Sequence, residues 1–249
     1  MIKGIIKKTA YRIAPRLASG LDKFLYFSKE AKRLREKSGK QEALEDIIDE
    51  VFSCPCFCPI QKKFEILQLL KILKKIRPKH LCEIGGAKGG TLHLFSEAAE
   101  LDAKILSIDR NYTIPQKLAF RTFAKSKQQI TCLTADSHSS QTLYKVRQWL
   151  GDEKLDFLFI DGDHSLSGVS SDYKMYAPLV RQNGIVAFHD IAPDFKTKYG
   201  ILTKFDVGQV PAFWNSLKNK CLKTQEIIED PGQDGFGIGV LEWTGTDPS

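Results

Sequence analysis

The sequence predicts a doubly wound α/β fold with a mostly parallel sheet, preceded by an N-terminal helical extension. From about residue 80 onward, short apolar runs alternate with helical stretches, which is the pattern of parallel strands buried on both faces of a sheet. Three of the apolar runs end in glycines, carboxylates or histidines. Because ligands bind beyond the carboxyl ends of parallel strands, these residues are expected to form one site.

Helices are expected before the first strand and between the strands that follow. The N-terminal helices are predicted near residues 3–18, 21–37, 40–51 and 60–76. The later helices are predicted near residues 90–100, 115–126, 138–150, 167–179 and 209–219. In the last of these, Val210, Trp214 and Leu217 recur at helical spacing and Pro211 lies near the first turn, so Trp214 is expected to lie in the core.

Strands are predicted at six runs. The first five are Leu81–Ile84, Lys104–Ile108, Gln129–Leu133, Leu155–Asp161 and Gly184–Asp190. The sixth, Gly235–Val240, alternates glycine with apolar residues, and glycine in a strand lets another backbone approach closely. We expect this last strand to close the sheet in the antiparallel direction.

A glycine-rich loop follows the first strand and precedes a helical pattern that begins at Thr91. Such a loop lets its backbone approach a ligand closely, and the helix N-terminus offers free amide groups. The cofactor-binding residues predicted in this loop are Gly85, Gly86, Ala87 and Gly89. The loop predicts a nucleotide-like cofactor without specifying which one.

Glu83 and Ala87 argue against a dinucleotide as that cofactor. A carboxylate two residues before Gly85 would repel a pyrophosphate, whereas it would attract a ligand ammonium or sulfonium. The third position of the Gly-x-Gly-x-x-Gly pattern, counted from Gly85, is Ala87. Glu83 is therefore included among the cofactor-binding residues, and an oxidoreductase that uses a nicotinamide cofactor is the alternative.

Polar residues after the second and third predicted strands extend the cofactor site. Asp109 follows the glycines by about 20 residues, where an acid can accept hydrogen bonds from both ribose hydroxyls, and Arg110 is assigned to the same site. Asp136 and Ser137 follow the third strand and are suitably placed for an adenine edge. For Asp136 the alternative role is a helix cap.

Two further strand ends carry acids and histidines. Asp161 and His164 follow one strand, and His189 and Asp190 end the next. One such strand end would be commonplace, but two strands joined by a crossover helix bring both groups to the same edge of a sheet. The sequence therefore predicts that reactive groups collect at this edge.

The strand ends contain four motifs: Glu-Ile-Gly-Gly-Ala-Lys-Gly-Gly-Thr, Ser-Ile-Asp-Arg, Phe-Ile-Asp-Gly-Asp-His and Ala-Phe-His-Asp-Ile. In this order and spacing they resemble those of class I S-adenosylmethionine-dependent methyltransferases. The chain is similar to the branch of macrolide-sugar O-methyltransferases and cephalosporin-hydroxylase-like proteins, from about Lys79 to about Trp243. The resemblance implies a seven-stranded Rossmann-like sheet with an antiparallel last strand, and S-adenosylmethionine as cofactor.

The resemblance also implies roles for the acids and histidines. By similarity to the sugar-methylating branch, Asp161 and Asp190 would bind Mg²⁺ and His164 would be the general base. Asp161 is also predicted to be a catalytic residue and to contact the cofactor. Where relatives carry a second acid or Asp-Asn, this chain has His189-Asp190. His189 is therefore included among the predicted metal ligands, and whether the protein needs a metal stays open. Such a cation would orient a hydroxylated acceptor and lower the pKa of its proton.

The function expected from these residues is O-methylation of a hydroxylated small molecule or saccharide. Two alternatives stay open: a NAD-dependent oxidoreductase, and a non-catalytic relative that binds S-adenosylmethionine. No nucleic-acid partner is expected, because the basic segment lacks a recognised binding module. A homo-oligomer is a further open alternative.

Positive charge is concentrated near the N-terminus. Residues 1–79 contain 19 Lys and Arg against 9 Asp and Glu, whereas residues 80–249 contain 18 against 21. We divide the chain into a basic helical extension, residues 1–59, and a class I methyltransferase domain, residues 60–249. The extension could place a basic amphipathic helix on a membrane surface, but packing on the domain or on a second subunit is the favoured interpretation.

Composition and cysteine spacing predict a cytoplasmic enzyme. No apolar stretch has the length of a membrane span, and the N-terminus lacks a signal-peptide pattern. The six cysteines are irregularly spaced, which does not suggest a disulfide framework. The run Cys54-Pro-Cys-Phe-Cys-Pro lacks the paired spacing of a zinc site, so a rigid turn before the helix at Ile60 is the preferred interpretation.

Overall fold

The computed structural model describes residues 15–40, 43–221 and 223–246. These residues form one seven-stranded sheet with helices packed on both faces. The predicted doubly wound α/β fold is therefore confirmed. The helix predicted near residues 3–18 lies mostly outside the described residues.

Seven strands build the sheet. They are β1 (His80–Ile84), β2 (Lys104–Asp109), β3 (Gln129–Thr134), β4 (Leu155–Ile160), β5 (Val180–His189), β6 (Thr224–Ile227) and β7 (Ile238–Glu242). Their order is β3-β2-β1-β4-β5-β7-β6, with β1 to β5 parallel and β7 antiparallel to both β5 and β6. The order reverses between β1 and β4, which places the ligand crevice of an open α/β sheet at the carboxyl ends of these two strands.

Helices cover both faces of the sheet. Those that the structure describes are α1 (Pro15–Ser38), α2 (Leu44–Phe52), α3 (Lys63–Ile76), α4 (Gly90–Ala98), α5 (Ile114–Phe120), α6 (Ser140–Leu150), α7 (Leu166–Tyr176), α8 (Phe195–Tyr199) and α9 (Val210–Lys218). Short 3₁₀ helices, Arg121–Phe123 and Ala177–Leu179, follow α5 and α7 directly. Sequence reasoning did not predict α8, which is only five residues long.

The prediction of two separate helices near residues 3–18 and 21–37 is wrong for the part that is described. Residues 15–38 form one continuous helix, α1, which passes through Gly20. Glycine inside a helix costs only about 1 kcal/mol relative to alanine. Packing outweighs that cost, because Ala31 and Leu34 of α1 are fully buried in the core.

The antiparallel last strand is confirmed, but it begins later than predicted. The prediction was Gly235–Val240, whereas β7 begins at Ile238. Gly235, Phe236 and Gly237 have positive φ values of 74°, 62° and 85°, so this segment turns where an extended strand was expected. β6, its neighbour in the sheet, gave no sequence signal because three of its four residues are exposed.

Apolar side chains fill both faces of the sheet. On β4, Phe157 and Phe159 pack in one core layer, and Leu158 and Ile160 pack in the other, as the alternation of side chains along a strand requires. The first layer includes residues of α1, α2, α3 and α4. The second layer contains Trp214, which is fully buried as predicted.

The segment before α3 shares the first core layer with the sheet. Ile47, Ile48 and Val51 of α2 are buried, and the ring centroid of the fully buried Phe57 lies 5.2 Å from that of Phe123. The described part of the predicted extension therefore packs on the domain, and the boundary at residue 59 stays a prediction. None of the described helices combines the length and the apolar character that a membrane span needs.

Candidate active site

The glycine loop joins β1 to α4 at the crevice. Gly85, Ala87 and Gly89 have positive φ values of 88°, 41° and 81°, and Gly89 forms the N-cap of α4. Gly85 lies so close to β4 that a Cβ atom would be 1.8 Å from the carbonyl oxygen of Asp161. Glycine is required there, and it lets the loop lie directly against Asp161.

A cavity of about 480 Å³ lies over the ends of β1, β2 and β3, and we name it the β2-side cavity. The predicted residues in its wall are Gly85, Ala87, Asp109, Arg110, Ser137 and Asp161. The fold fixes the Asp109 carboxylate, because the backbone amides of Ala87 and Asn111 donate to Oδ2 and Oδ1 at 2.9 and 2.7 Å. A carboxylate oxygen can accept more than one hydrogen bond, so Asp109 keeps capacity for a ligand.

A second cavity, of about 360 Å³, is named the β5-side cavity. It shares Gly85, Ala87 and Asp161 with the β2-side cavity. The other predicted residues in its wall are Gly86, His164, His189 and Asp190. The two cavities therefore meet where the glycine loop touches the end of β4.

Asp161, His164 and Asp190 face one another in the β5-side cavity. His164 Nε2 lies 3.6 Å from Asp161 Oδ1 and 3.5 Å from Asp190 Oδ2. One ligand atom from each residue lies within 4.8 Å of the others, and two carboxylates with an imidazole suit a divalent cation. Asp190 has a positive φ of 61°, an uncommon conformation of the kind that clusters at functional sites.

His189 lies beside the same two carboxylates. Its Nδ1 is 3.2 Å from Asp161 Oδ1 and 3.4 Å from Asp190 Oδ1. Burial alone would lower the pKa of His189, but the two carboxylates raise it well above its usual value. An imidazolium donates at both nitrogens and has no lone pair for a metal. The same carboxylates also favour protonation of His164, so protonation does not distinguish the two histidines, and the role of His189 as a metal ligand stays a prediction.

The carboxylates also determine the charge of His164. Its contact with Asp161, helped by the charge of Asp190, raises the pKa of His164 to about 9 although burial opposes the rise. Burial alone would raise the pKa of Asp161, but the two imidazoles lower it. An imidazolium cannot accept a proton, so His164 can act as a base only when the negative charge of these carboxylates is offset.

Glu83 lies beneath the glycine loop and lines neither cavity. Its side chain accepts hydrogen bonds from Thr91 at Oε1 and from Ser107 at Oε2, the latter at 2.6 Å. A Cβ atom on Gly86 would lie 2.6 Å from Glu83 Oε2. The structure thus packs Glu83 against the loop at Gly86, and its contact with a ligand ammonium stays a prediction.

Arg110 and Ser137 line the β2-side cavity, whereas Asp136 does not. Arg110 Nη2 donates to Asp136 Oδ1 at 2.7 Å, and the same oxygen accepts the backbone amide of His138 at 3.0 Å. Asp136 therefore caps the turn before α6 and orients Arg110. The N-cap of α6 itself is Ser139, so Asp136 does not cap that helix, and its contact with an adenine edge stays a prediction.

Gln61 contacts Asp161 from the segment that precedes α3. Its Nε2 donates to Asp161 Oδ2 at 2.9 Å, while its Oε1 is buried with no hydrogen-bond partner among the described residues. Gln61 also lines the β5-side cavity. No sequence motif marks this residue, because the contact depends on how the segment before α3 packs against the end of β4.

Two lysines and two phenylalanines also line the β5-side cavity. They are Lys88, Lys204, Phe205 and Phe236. The ring centroids of Phe205 and Phe236 lie 4.4 Å apart. Because Phe205 follows α8 and Phe236 precedes β7, no sequence pattern could have predicted that they meet.

The cysteine run does not form a metal group. Cys54 is buried, and Cys56 and Cys58 are half-buried. Within residues 15–40, 43–221 and 223–246, the only group of three or more potential ligands is the one at Asp161, His164 and Asp190. Cys58 instead contributes to the wall of the β5-side cavity.

A family model described as a methyltransferase domain matches residues 82–191. The match runs from β1 to just beyond Asp190. It therefore contains the glycine loop, Asp109 and the three facing residues Asp161, His164 and Asp190. Residues 82–191 are thus similar to a methyltransferase domain. The predicted relation to class I methyltransferases is thereby confirmed, and a search of curated proteins found no match to the chain.

Solved structures share the fold of this chain at low sequence identity. TomG, an O-methyltransferase from Streptomyces achromogenes, is 13% identical, covers 82% of this chain and 91% of its own, and has a TM-score of 0.55. An O-methyltransferase from Bacillus cereus is also 13% identical, with 82% and 92% covered and a TM-score of 0.54. A Staphylococcus aureus protein assigned as a caffeoyl-CoA O-methyltransferase is 17% identical, with 86% and 99% covered and a TM-score of 0.58. At these identities the likeness establishes the fold.

Proposed function

We propose that this protein transfers a methyl group from S-adenosylmethionine to a hydroxyl oxygen of a small molecule or saccharide. The observation that carries the proposal is that the two cavities share Gly85, Ala87 and Asp161. A cofactor in the β2-side cavity would therefore reach an acceptor in the β5-side cavity. The methyltransferase domain supports this assignment, as do the complexes of TomG with S-adenosylmethionine and of the B. cereus enzyme with S-adenosylhomocysteine.

The β2-side cavity offers groups that suit a nucleoside. Asp109 can accept hydrogen bonds from two ribose hydroxyls, since each of its oxygens engages only one backbone amide. The glycine loop exposes backbone at the shared wall, and Ser137 adds a hydroxyl farther along the cavity. A volume of about 480 Å³ is also in the range of small-molecule sites.

The β5-side cavity offers a base for the acceptor's proton. The Nδ1 atom of His164 lies 3.2 Å from the backbone carbonyl of Asp206. In a neutral imidazole this hydrogen bond keeps the proton on Nδ1 and leaves the lone pair on Nε2. Nε2 faces Asp161 and Asp190, so it is the atom that would take the proton of an acceptor hydroxyl bound there.

Asp161 and Asp190 would hold a divalent cation, with His164 close enough either to complete the ligand set or to act as base. Gln61 and His189 orient the Asp161 carboxylate through hydrogen bonds at 2.9 and 3.2 Å. A bound cation would orient the acceptor hydroxyl, lower its pKa and offset the negative charge that keeps His164 protonated. The chain's own contribution is to align the two reactants, which is the main requirement of an in-line displacement.

The proposal is tested by measuring S-adenosylhomocysteine formation over a panel of phenols, diols and sugars with Mg²⁺ present. Turnover of at least one acceptor is expected, and His164→Ala should lower it by about 10²- to 10⁴-fold, the usual contribution of a positioned base. His80→Ala, at a histidine outside both cavities, is the matched control and should retain activity.

The base, the metal and catalysis itself can each be ruled out by a different result. Unchanged activity in His164→Ala would remove the base, and full activity in excess EDTA would remove the metal. Binding of S-adenosylmethionine without turnover of any acceptor would favour the non-catalytic alternative.

A further inference from the structure

The wall of the β5-side cavity contains basic as well as acidic side chains. Asp161, Asp190 and Asp206 line it, and so do Lys88 and Lys204. Among the described residues, neither lysine ammonium has a hydrogen-bond or ion-pair partner. Two unpaired cations in the wall of one small cavity have no evident role in folding.

The segment that carries Lys204 is held in place by Asp234. Asp234 Oδ1 accepts hydrogen bonds from the backbone amide of Phe195 at 2.7 Å and from the Thr203 hydroxyl at 2.8 Å. Its Oδ2 accepts the backbone amide of Lys204 at 3.2 Å. The backbone at Lys204 is therefore fixed relative to the cavity, although its side chain is exposed.

The body of the cavity suits a compact, partly apolar ligand. Ile60, Pro59 and the neighbouring rings of Phe205 and Phe236 contribute apolar surface. The volume of about 360 Å³ lies at the lower end of the range for small-molecule sites. A single ring with one or two substituents is the size of acceptor that this volume admits.

We propose that the acceptor carries an anionic group, a carboxylate or a phosphate, which binds to Lys88 and Lys204 while its hydroxyl lies at His164. This inference rests on the proposed function and specifies the class of its substrate. Lysine binds such groups as a point charge. The two lysines attract the anionic end and leave the hydroxyl at His164, so the charges of the wall select one orientation of the acceptor.

The test is calorimetric titration of the full-length protein loaded with S-adenosylhomocysteine and Mg²⁺. Two pairs of probes separate the sources of the anionic group: 3,4-dihydroxybenzoate against catechol for a carboxylate, and glucose 6-phosphate against glucose for a phosphate. In at least one pair, the anionic member is expected to bind at least about tenfold more tightly, which corresponds to roughly 1.4 kcal/mol. Lys88→Met and Lys204→Met should each reduce that ratio severalfold, and the double variant should bring it close to one.

Lys75→Met is the matched control, because Lys75 is an exposed lysine of α3 that lines neither cavity, and it should keep the full ratio. A ratio that the two cavity variants leave unchanged would overturn the inference, as would the absence of binding by both anionic probes. The preceding titration with S-adenosylhomocysteine reports on the proposed function separately, since failure of that step would count against methyl transfer itself.

Discussion

Three carboxylates around the glycine loop are fixed by the fold in different ways. Asp109 accepts two backbone amides, and Asp161 contacts Gln61 and two imidazoles. Glu83 has only hydroxyl donors in a site that is 2% exposed. Hydroxyls compensate a buried negative charge less fully than cations do. Of the three carboxylates, Glu83 is therefore the one whose ionisation should lower the free energy of unfolding most.

The substitution Glu83→Gln measures how far ionisation of Glu83 lowers the free energy of unfolding. Burial raises the pKa of Glu83 from its usual 4.5 to about 7, so between these pH values the folded protein holds a proton that the unfolded chain releases. The stability this residue contributes is complete below about pH 4.5 and is lost as the pH rises toward 7. Urea unfolding should show the wild type losing stability relative to the variant across this window, by up to about 1.4 kcal/mol per pH unit. A difference that is constant, or that grows in favour of the wild type as pH rises, would contradict this assignment.

At the scale of elements, α3 holds the β6–β7 connection against the site. Glu65 of α3 is fully buried, and its Oε1 accepts hydrogen bonds from Gln233 Nε2 at 2.7 Å and from the Glu229 amide at 3.2 Å. Its Oε2 accepts the backbone amide of Gly237 at 2.8 Å. Since Phe236 immediately precedes Gly237 and lines the β5-side cavity, this one carboxylate links a structural helix to the acceptor side of the site.

Glu65→Ala should therefore destabilise the protein strongly. Three donors lose their acceptor, at least one of them in a buried position, and such losses cost about 1–3 kcal/mol each. We expect the free energy of unfolding to fall by roughly 2–4 kcal/mol in urea titrations. Glu229→Ala is the control, because it removes only the exposed ion pair with Lys62, worth less than about 1 kcal/mol. Similar losses in the two variants would show that Glu65 does not hold this connection.

The sequence predicted the elements that carry strong local patterns. β1, β2, β4 and β5 are apolar runs, and their ends deliver Gly85, Asp109, Asp161 and Asp190 to one edge because parallel strands share a direction. The elements and site residues that the sequence did not predict depend on tertiary packing. Residues of the edge strand β6 are mostly exposed, and Lys204 reaches the cavity only because Asp234 fixes its segment. Gln61 likewise could not be recognised from sequence, because its contact with Asp161 depends on how the segment before α3 packs.

At the scale of the whole molecule, the reversal of strand order between β1 and β4 determines where chemistry can occur. The β2-side cavity lies over strands on one side of this point, and the β5-side cavity reaches the acids that follow β4 and β5. The glycine loop and Asp161 belong to both. The described part of the basic N-terminal region packs in the core through Ala31, Leu34 and Phe57.

The identity of the cofactor is tested most directly by a calorimetric titration of the purified protein with S-adenosylmethionine, S-adenosylhomocysteine and NAD. Saturable binding of both sulfur nucleosides and no response to NAD is expected. Asp109→Asn should weaken S-adenosylhomocysteine binding by roughly tenfold or more, since hydrogen bonds to a charged group contribute about 1.5–3 kcal/mol. Asp152→Asn, at an exposed aspartate outside both cavities, should leave that affinity unchanged. Saturable binding of NAD, with no response to either sulfur nucleoside, would rule out S-adenosylmethionine as the cofactor and methyl transfer as the function.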